Sequence, residues 1–231
     1  MYQLAYYGLL ILLIPLFPYF IYVGKRLRKN MPKLPPAADP KQTVGEGAST
    51  INLLAVGESS MAGLGVDNHN KSLAGYTSLT LAENWQVQVQ FQVIARNGYT
   101  AELVAHRLLH KEQADFSPDI IMVALGGNDT FRFHSPKRWI KGCSATVKEL
   151  QKQYPDAPIV FTQLPFIKFF PAFPPILRIG SNWLLQLHHR ALKKWVANQP
   201  KVYFNQERLS LEQWIERAGG IDNRLDFYSD G

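Results

Sequence analysis

Five apolar runs mark out the ordered part of the chain: Ile51–Val56, Val87–Ala95, Asp119–Leu125, Pro158–Thr162 and Lys201–Phe204. Each has the length of a strand and an apolar content suited to burial in a sheet. Between them the spacing turns helical. Thr100 is a helix cap, with Glu102 in the first turn and Leu103, Val104, Leu108 and Leu109 as the apolar stripe. Ser135-Pro136 is a cap followed by proline at the first helical position, and Trp139, Cys143, Val147 and Leu150 recur on one face of the helix it opens. Leu184, Leu187, Ala191, Leu192, Trp195 and Val196 define a long amphipathic helix from Ser181 to Asn198. Strand alternating with helix at this spacing predicts right-handed parallel βαβ units, hence an α/β fold whose open, mostly parallel, doubly wound sheet is covered by helices on both faces.

Ahead of this pattern lies a different one. Met1 to Gly24 carries no charged side chain, and Leu4 to Val23 is apolar over the roughly 20 residues a helix needs to cross a bilayer. Residues 1–24 therefore read as a transmembrane anchor, kinked at Pro15 and Pro18. A cleaved signal peptide would open on positive charge and close on a small-residue cleavage site, and this segment does neither. Its positive charges follow it, in Lys25, Arg26, Arg28 and Lys29, which predicts a single-pass protein with its folded part on the cytoplasmic side. Residues 25–49, basic and then rich in proline and glycine, read as a linker, with the folded domain over 50–231.

Composition changes this picture little. With 231 residues and 46% hydrophobic content, the chain can build one full domain plus an appendage. The formal charge of +7 owes five of its units to Lys25, Arg26, Arg28, Lys29 and Lys33, so the folded part is close to neutral and nucleic acid is not an expected partner. The single cysteine, Cys143, excludes an internal disulfide, argues against a zinc–thiolate site and falls on the buried side of its helix.

Candidate chemistry sits at the ends of the first three strand runs. Ser59 follows Gly57 and Glu58 directly after the first run, where a glycine break exposes a hydroxyl at the strand's carboxyl end. Asn97-Gly98 ends the second run and Gly126-Gly127-Asn128-Asp129 the third. A serine hydroxyl needs a base to take its proton and donors to hold an oxyanion. Backbone N–H groups at Ser59 and Gly98, together with the Asn128 amide, are donors of that type, and Gly98 has no Cβ to keep a substrate away. Taken alone, Gly126–Asp129 is more often a strand-ending turn than a catalytic element. Glycines from Gly57 to Gly65 suit a phosphate loop, but the lysine and Ser/Thr of such a loop are missing.

In order, these blocks resemble the SGNH or GDSL hydrolases, a family of esterases and lipases on a flavodoxin-like three-layer α/β/α fold. The first block is similar to Gly57-Glu58-Ser59-Ser60, the second to Asn97-Gly98, the third to Gly126-Gly127-Asn128-Asp129, and the last begins as Asp230-Gly231. The resemblance implies Ser59 as nucleophile, an oxyanion hole made by Ser59, Gly98 and Asn128, and Asp230 orienting a histidine, with no metal or organic cofactor. It implies a carboxylic ester as substrate; the expectation of a small or lipid-derived one comes from the anchor and the apolar stretch Leu164–Pro175, which would bring the site close to a bilayer, while acetylated sugars and thioesters stay open.

Two departures stand out. Glu58 and Ser60 replace the usual acid and leucine, and Ser60 offers a second hydroxyl beside Ser59. The family's last block is Asp-x-x-His, and the sequence reaches Gly231 two residues before that histidine, so the expectation is a fragment of a longer product. His69 and His134, after the first and third blocks, are the alternatives for the base, ahead of His106, His110, His188 and His189. The competing expectation is a non-catalytic, membrane-anchored binding module on the same fold. The apolar stretch Leu164–Pro175 reads either as a loop packed on the domain or as an acyl-binding or lipid-touching wall.

Overall fold

The computed structural model describes residues 2–30, 34–163 and 174–205. Six strands form one sheet in the order β1-β3-β2-β4-β5-β6, with β1 Lys41–Val44, β2 Thr50–Gly57, β3 Gln88–Ala95, β4 Ile120–Ala124, β5 Ile159–Phe161 and β6 Val202–Phe204. Strands β2 to β6 are all parallel, and β1 alone runs antiparallel, against β3. Without β1 the order is that of a flavodoxin-like sheet. The chain steps from β2 outward to β3, then crosses back to β4 on the other side of β2, so strand order reverses there. Such a reversal opens a crevice at the carboxyl ends of the strands. In register, Gly57 is level with Ala95 of β3 and with Ala124 of β4, so the loops after these three strands leave the sheet at one height.

Side chains of β2 alternate between two cores. Leu54 and Val56 pack with α4 Ala101–Leu103, α6 Pro136–Gln153 and α7 Pro175–Val196, while Leu53 and Ala55 pack with α3 Leu73–Trp85 on the opposite face. The result is three layers. Trp139, Cys143, Val147 and Leu150 are all buried on α6, as their spacing predicts, and burial holds the Cys143 thiol well above its ordinary pKa. Caps fall where the sequence puts them. The Ser135 Oγ accepts the Arg138 N–H at 3.2 Å and the Thr100 Oγ1 accepts that of Leu103 at 3.4 Å. After α4 the helix widens into a π-turn, Val104–Leu108, in which the Leu109 N–H reaches back five residues to the Val104 carbonyl.

Three expectations are corrected. Residues 25–49 are not linker throughout, because Lys41–Val44 pairs with β3 as an edge strand whose residues alternate between exposed and half-buried. A helix as early as Pro175 replaces the start expected at Ser181, with two prolines, Pro174 and Pro175, at its N-terminus, where a missing N–H costs nothing. Of the apolar stretch Leu164–Pro175, residues 164–173 lie outside the described residues.

The third correction concerns the single helix expected over Leu4–Val23. Among the described residues no single helix is long and apolar enough to cross a membrane. Instead of one helix over Leu4–Val23 there are two, α1 Tyr2–Leu13 and α2 Phe17–Asn30, joined by the 3-10 turn Ile14–Leu16 and bent by 78°. Pro15 and Pro18 explain the break, since neither can donate to a carbonyl four residues earlier. The pair packs against the domain. Tyr6, Leu9, Leu13 and Phe20 are buried with Leu184 and Leu187 of α7.

Candidate active site

Everything at the sheet's carboxyl edge begins with the packing at Gly57. A Cβ there would sit 2.5 Å from the Ala124 carbonyl oxygen and 2.8 Å from the Met61 Cβ, so only glycine lets β2 end tightly beside β4. The chain then turns sharply. The Glu58 carbonyl accepts the Ala62 N–H at 2.8 Å, Met61 is buried completely, and Ser59 is left half-buried with Ser60 exposed beside it. The apolar anchor of the first block is thus Met61, one position later than the usual leucine.

Glu58 is the buried centre of this edge. One carboxylate oxygen accepts the N–H groups of Gly126 at 2.7 Å and Gly127 at 2.6 Å, and the other accepts that of Asn128 at 2.9 Å. These are the first amides of α5 Gly127–Phe131 and the residue before it, where backbone N–H groups have no partner within the helix. Burial pushes the Glu58 carboxyl up to about 7, against the three N–H donors, which favour its charged form.

Asn128 continues the chain of contacts by donating from Nδ2 to the Tyr99 carbonyl at 3.0 Å. Gly98, half-buried, has φ +76, and nothing lies within 4 Å of where its Cβ would stand. Its glycine is set by left-handed backbone, while the space above it is open. Arg132 donates to the Gly98 carbonyl at 2.9 Å, and Arg96 N–H donates to the Gly57 carbonyl at 3.2 Å. Ser59, Gly98 and Asn128 therefore stand on three loops at one edge, tied to one another through Glu58, Asn128 and Arg132. Asp230 lies outside the described residues.

Two histidines carry the other buried polar contacts here. Asp129, 2% exposed, accepts from His134 Nδ1 at 2.7 Å on one oxygen and from the Ala101 N–H at 2.9 Å on the other, joining the third loop to the helix after the second. His188, fully buried, stacks on Trp139 with ring centroids 4.7 Å apart, donates from Nε2 to the His134 carbonyl at 2.9 Å, and meets the Thr130 Oγ1 at 3.1 Å. Burial lowers its pKa to about 4, so the ring is neutral near pH 7. His69 is buried beside Gly63, with Nδ1 3.2 Å from the Ser72 hydroxyl that caps α3, and burial lowers its pKa as well. His106 and His110 are exposed.

The sequence reading missed both the three hydrogen bonds that Glu58 accepts and the Asp129–His134 pair. For His188 a signal existed, because it stands four residues from both Leu184 and Leu192 on the apolar stripe. Glu58 binds backbone groups of another loop, and Asp129 binds the His134 ring and the Ala101 N–H, contacts that no spacing in the sequence reports.

A flavodoxin-like sheet whose switch-point loops bring a serine, a glycine amide and an asparagine amide to one edge defines the class of the SGNH hydrolases. The chain belongs to the GDSL-like lipase/acylhydrolase family, whose model matches residues 55–220. Among solved structures, it is similar to the SGNH-hydrolase family esterase AlinE4, at 21% identity over 80% of this chain and 84% of that one, with a TM-score of 0.52. TesA is similar at 20% identity over 74% and 83% of the two chains, with a TM-score of 0.53. An extracellular lipase from Streptomyces rimosus follows at 14% identity over 67% and 79%, with a TM-score of 0.52. At these identities the likeness is one of fold. No curated protein matches the chain in sequence.

Proposed function

We propose that the protein is a serine ester hydrolase that works through an acyl-serine intermediate. Ser59 attacks the ester carbonyl, and its hydroxyl proton passes to a general-base histidine, the part played in the family by the Asp-x-x-His block whose aspartate Asp230 matches. The tetrahedral oxyanion is held by the N–H groups of Ser59 and Gly98 and by the second amide hydrogen of Asn128, the first being committed to Tyr99. Collapse of that intermediate expels the alcohol, which takes the proton from the histidine. Water then attacks the acyl-serine by the reverse route, and no metal or organic cofactor takes part.

The observation that carries this reading is the shared edge: Glu58 ties the first block to the third, and Asn128 ties the third to the second. Open space over the left-handed Gly98 supports it too, since a substrate oxygen needs room beside that amide. Membership of a lipase/acylhydrolase family supports a carboxylic ester as substrate, small or lipid-derived. Attachment to a membrane through the N-terminal pair, with the domain on the cytoplasmic side, belongs to the same proposal and draws on the apolar composition of α1 and the basic end of α2.

The test is hydrolysis of p-nitrophenyl acetate by the full-length protein. Ser59→Ala is expected to lower kcat at least a thousandfold and Ser60→Ala to change it less than threefold. Equal turnover by wild type and Ser59→Ala would remove Ser59 from the mechanism. No turnover by the wild type would favour the binding module.

A further inference from the structure

The exposed apolar side chains of this molecule include a group whose position the hydrolase reading does not use. Leu4, Ile11, Leu12 and Ile14 stand on the outer side of α1 and the turn after it, with Ile11 and Leu12 each 67% exposed. On the first half of α7, Ile179 is 61% and Trp183 57% exposed. The two sets flank one seam. Leu13 of α1 lies within van der Waals reach of a Cβ at Gly180, and Leu177, Leu184 and Leu187 of α7 pack with Tyr6, Leu9 and Leu13 of α1, so Ile179 and Trp183 border the helix they leave uncovered.

Charge favours one partner. Neither the first 30 residues nor α7 contains an acidic residue, while Lys25, Arg26, Arg28, Lys29 and Arg178 are all basic. Exposed apolar side chains with Tyr7 and Trp183 among them, on helices whose sequence carries basic and no acidic residues, are matched to an anionic bilayer surface. The surface is also joined to the candidate site. Tyr6 Oη donates to the Phe133 carbonyl at 2.8 Å and the Phe20 ring stacks on that of Phe133 at 6.1 Å, five residues after Asn128. His188 of α7 also meets Thr130 and the His134 carbonyl, both after β4, so α7 passes the sheet's carboxyl edge, the same edge as Ser59.

We propose that α1, α2 and the first half of α7 form one docking face for an anionic bilayer, with the helices lying along the surface and the carboxyl edge of the sheet turned toward the lipid. The substrate class that follows is an ester resident in the bilayer. The proposal rests on the membrane attachment assigned to the N-terminal pair and adds α7 as a contact of its own.

The test uses the full-length protein mixed with vesicles of phosphatidylcholine and phosphatidylglycerol in a 3:1 ratio, carrying brominated acyl chains, with tryptophan fluorescence as readout. The expected result is flotation with the vesicles, quenching by the bromolipid, and loss of at least half of that quenching in Trp183→Phe, which keeps an aromatic ring at an exposed position. Ile179→Asn is expected to lower the bound fraction at least threefold, and pure phosphatidylcholine at least tenfold. Equal quenching in wild type and Trp183→Phe, with flotation intact, would overturn the role of α7 while leaving attachment through the N-terminal pair. A wild type that stays with the buffer as a dimer would overturn both, the face then being covered by a second copy. Ser59→Ala should float like the wild type, so this result does not depend on the catalytic assignment.

Discussion

At position 58 a side chain one methylene longer than aspartate spans the distance from the end of β2 to three successive amides at the start of α5. Glutamine has the same size but only one acceptor oxygen, and its NH₂ group would face an N–H donor. Burying that mismatch costs about 1–3 kcal/mol and loosens the loop that carries Asn128. Glu58→Gln is therefore expected to lower kcat at least tenfold with KM little changed, and steady-state kinetics on p-nitrophenyl acetate would reveal it. Glu58→Asp, which keeps both oxygens, should fall between the two. The glycines on either side of this loop system separate two physical causes. In Gly57→Ala the new methyl meets the Ala124 carbonyl, an overpacking cost of about 1–3 kcal/mol. In Gly98→Ala the methyl enters open space and only the left-handed backbone is penalised, by about 1 kcal/mol. Urea midpoints should fall further for Gly57→Ala, and the reverse order would refute this account of the two positions.

Among the elements, legibility followed burial. The five parallel strands could be read from the sequence because each buries most of its length and carries a short apolar run, even where Gln88, Gln90 and Gln92 interrupt that of β3 and Tyr203 of β6 is exposed. Strand β1 could not, because Lys-Gln-Thr-Val at a sheet edge keeps every second residue in water. Helix α3 was hidden for the opposite reason. It buries Ala74, Gly75, Ser78 and Ala82 and leaves Tyr76 and Trp85 outside, so its large apolar residues do not mark its buried face. Caps were legible because their chemistry is local. Removing one tests how local it is: Ser135→Ala should destabilise the protein by about 1 kcal/mol, measurable as a lower urea midpoint at unchanged slope. The positions of Ser59, Gly98 and Asn128 were legible for the same local reason, as residues at strand ends. What holds their loops together was not, because Glu58, Asp129 and Arg132 bind backbone groups brought near by topology.

For the molecule as a whole, two buried groups set opposing pH responses. Glu58 has its carboxyl raised from 4.5 to about 7, so between those values the folded protein binds the extra proton and stability falls as pH rises. His188 is lowered from 6.5 to about 4, so in that window the unfolded chain binds the extra proton and stability rises with pH. From about pH 4.5 to 6.5 the two slopes cancel. Thermal unfolding of wild type should contribute no net slope from this pair. Glu58→Gln should show a melting temperature that rises with pH across that range, and His188→Gln one that falls toward pH 7. Parallel profiles for the two variants would contradict the assignment. Folding itself carries a reporter. The chain's one thiol, Cys143, is sealed beneath α6 with no solvent exposure and a raised pKa, so an alkylating reagent can reach it only through an opening of the central layer. The speed at which a maleimide dye attaches under native conditions thus becomes a built-in stopwatch for how often the interior comes apart.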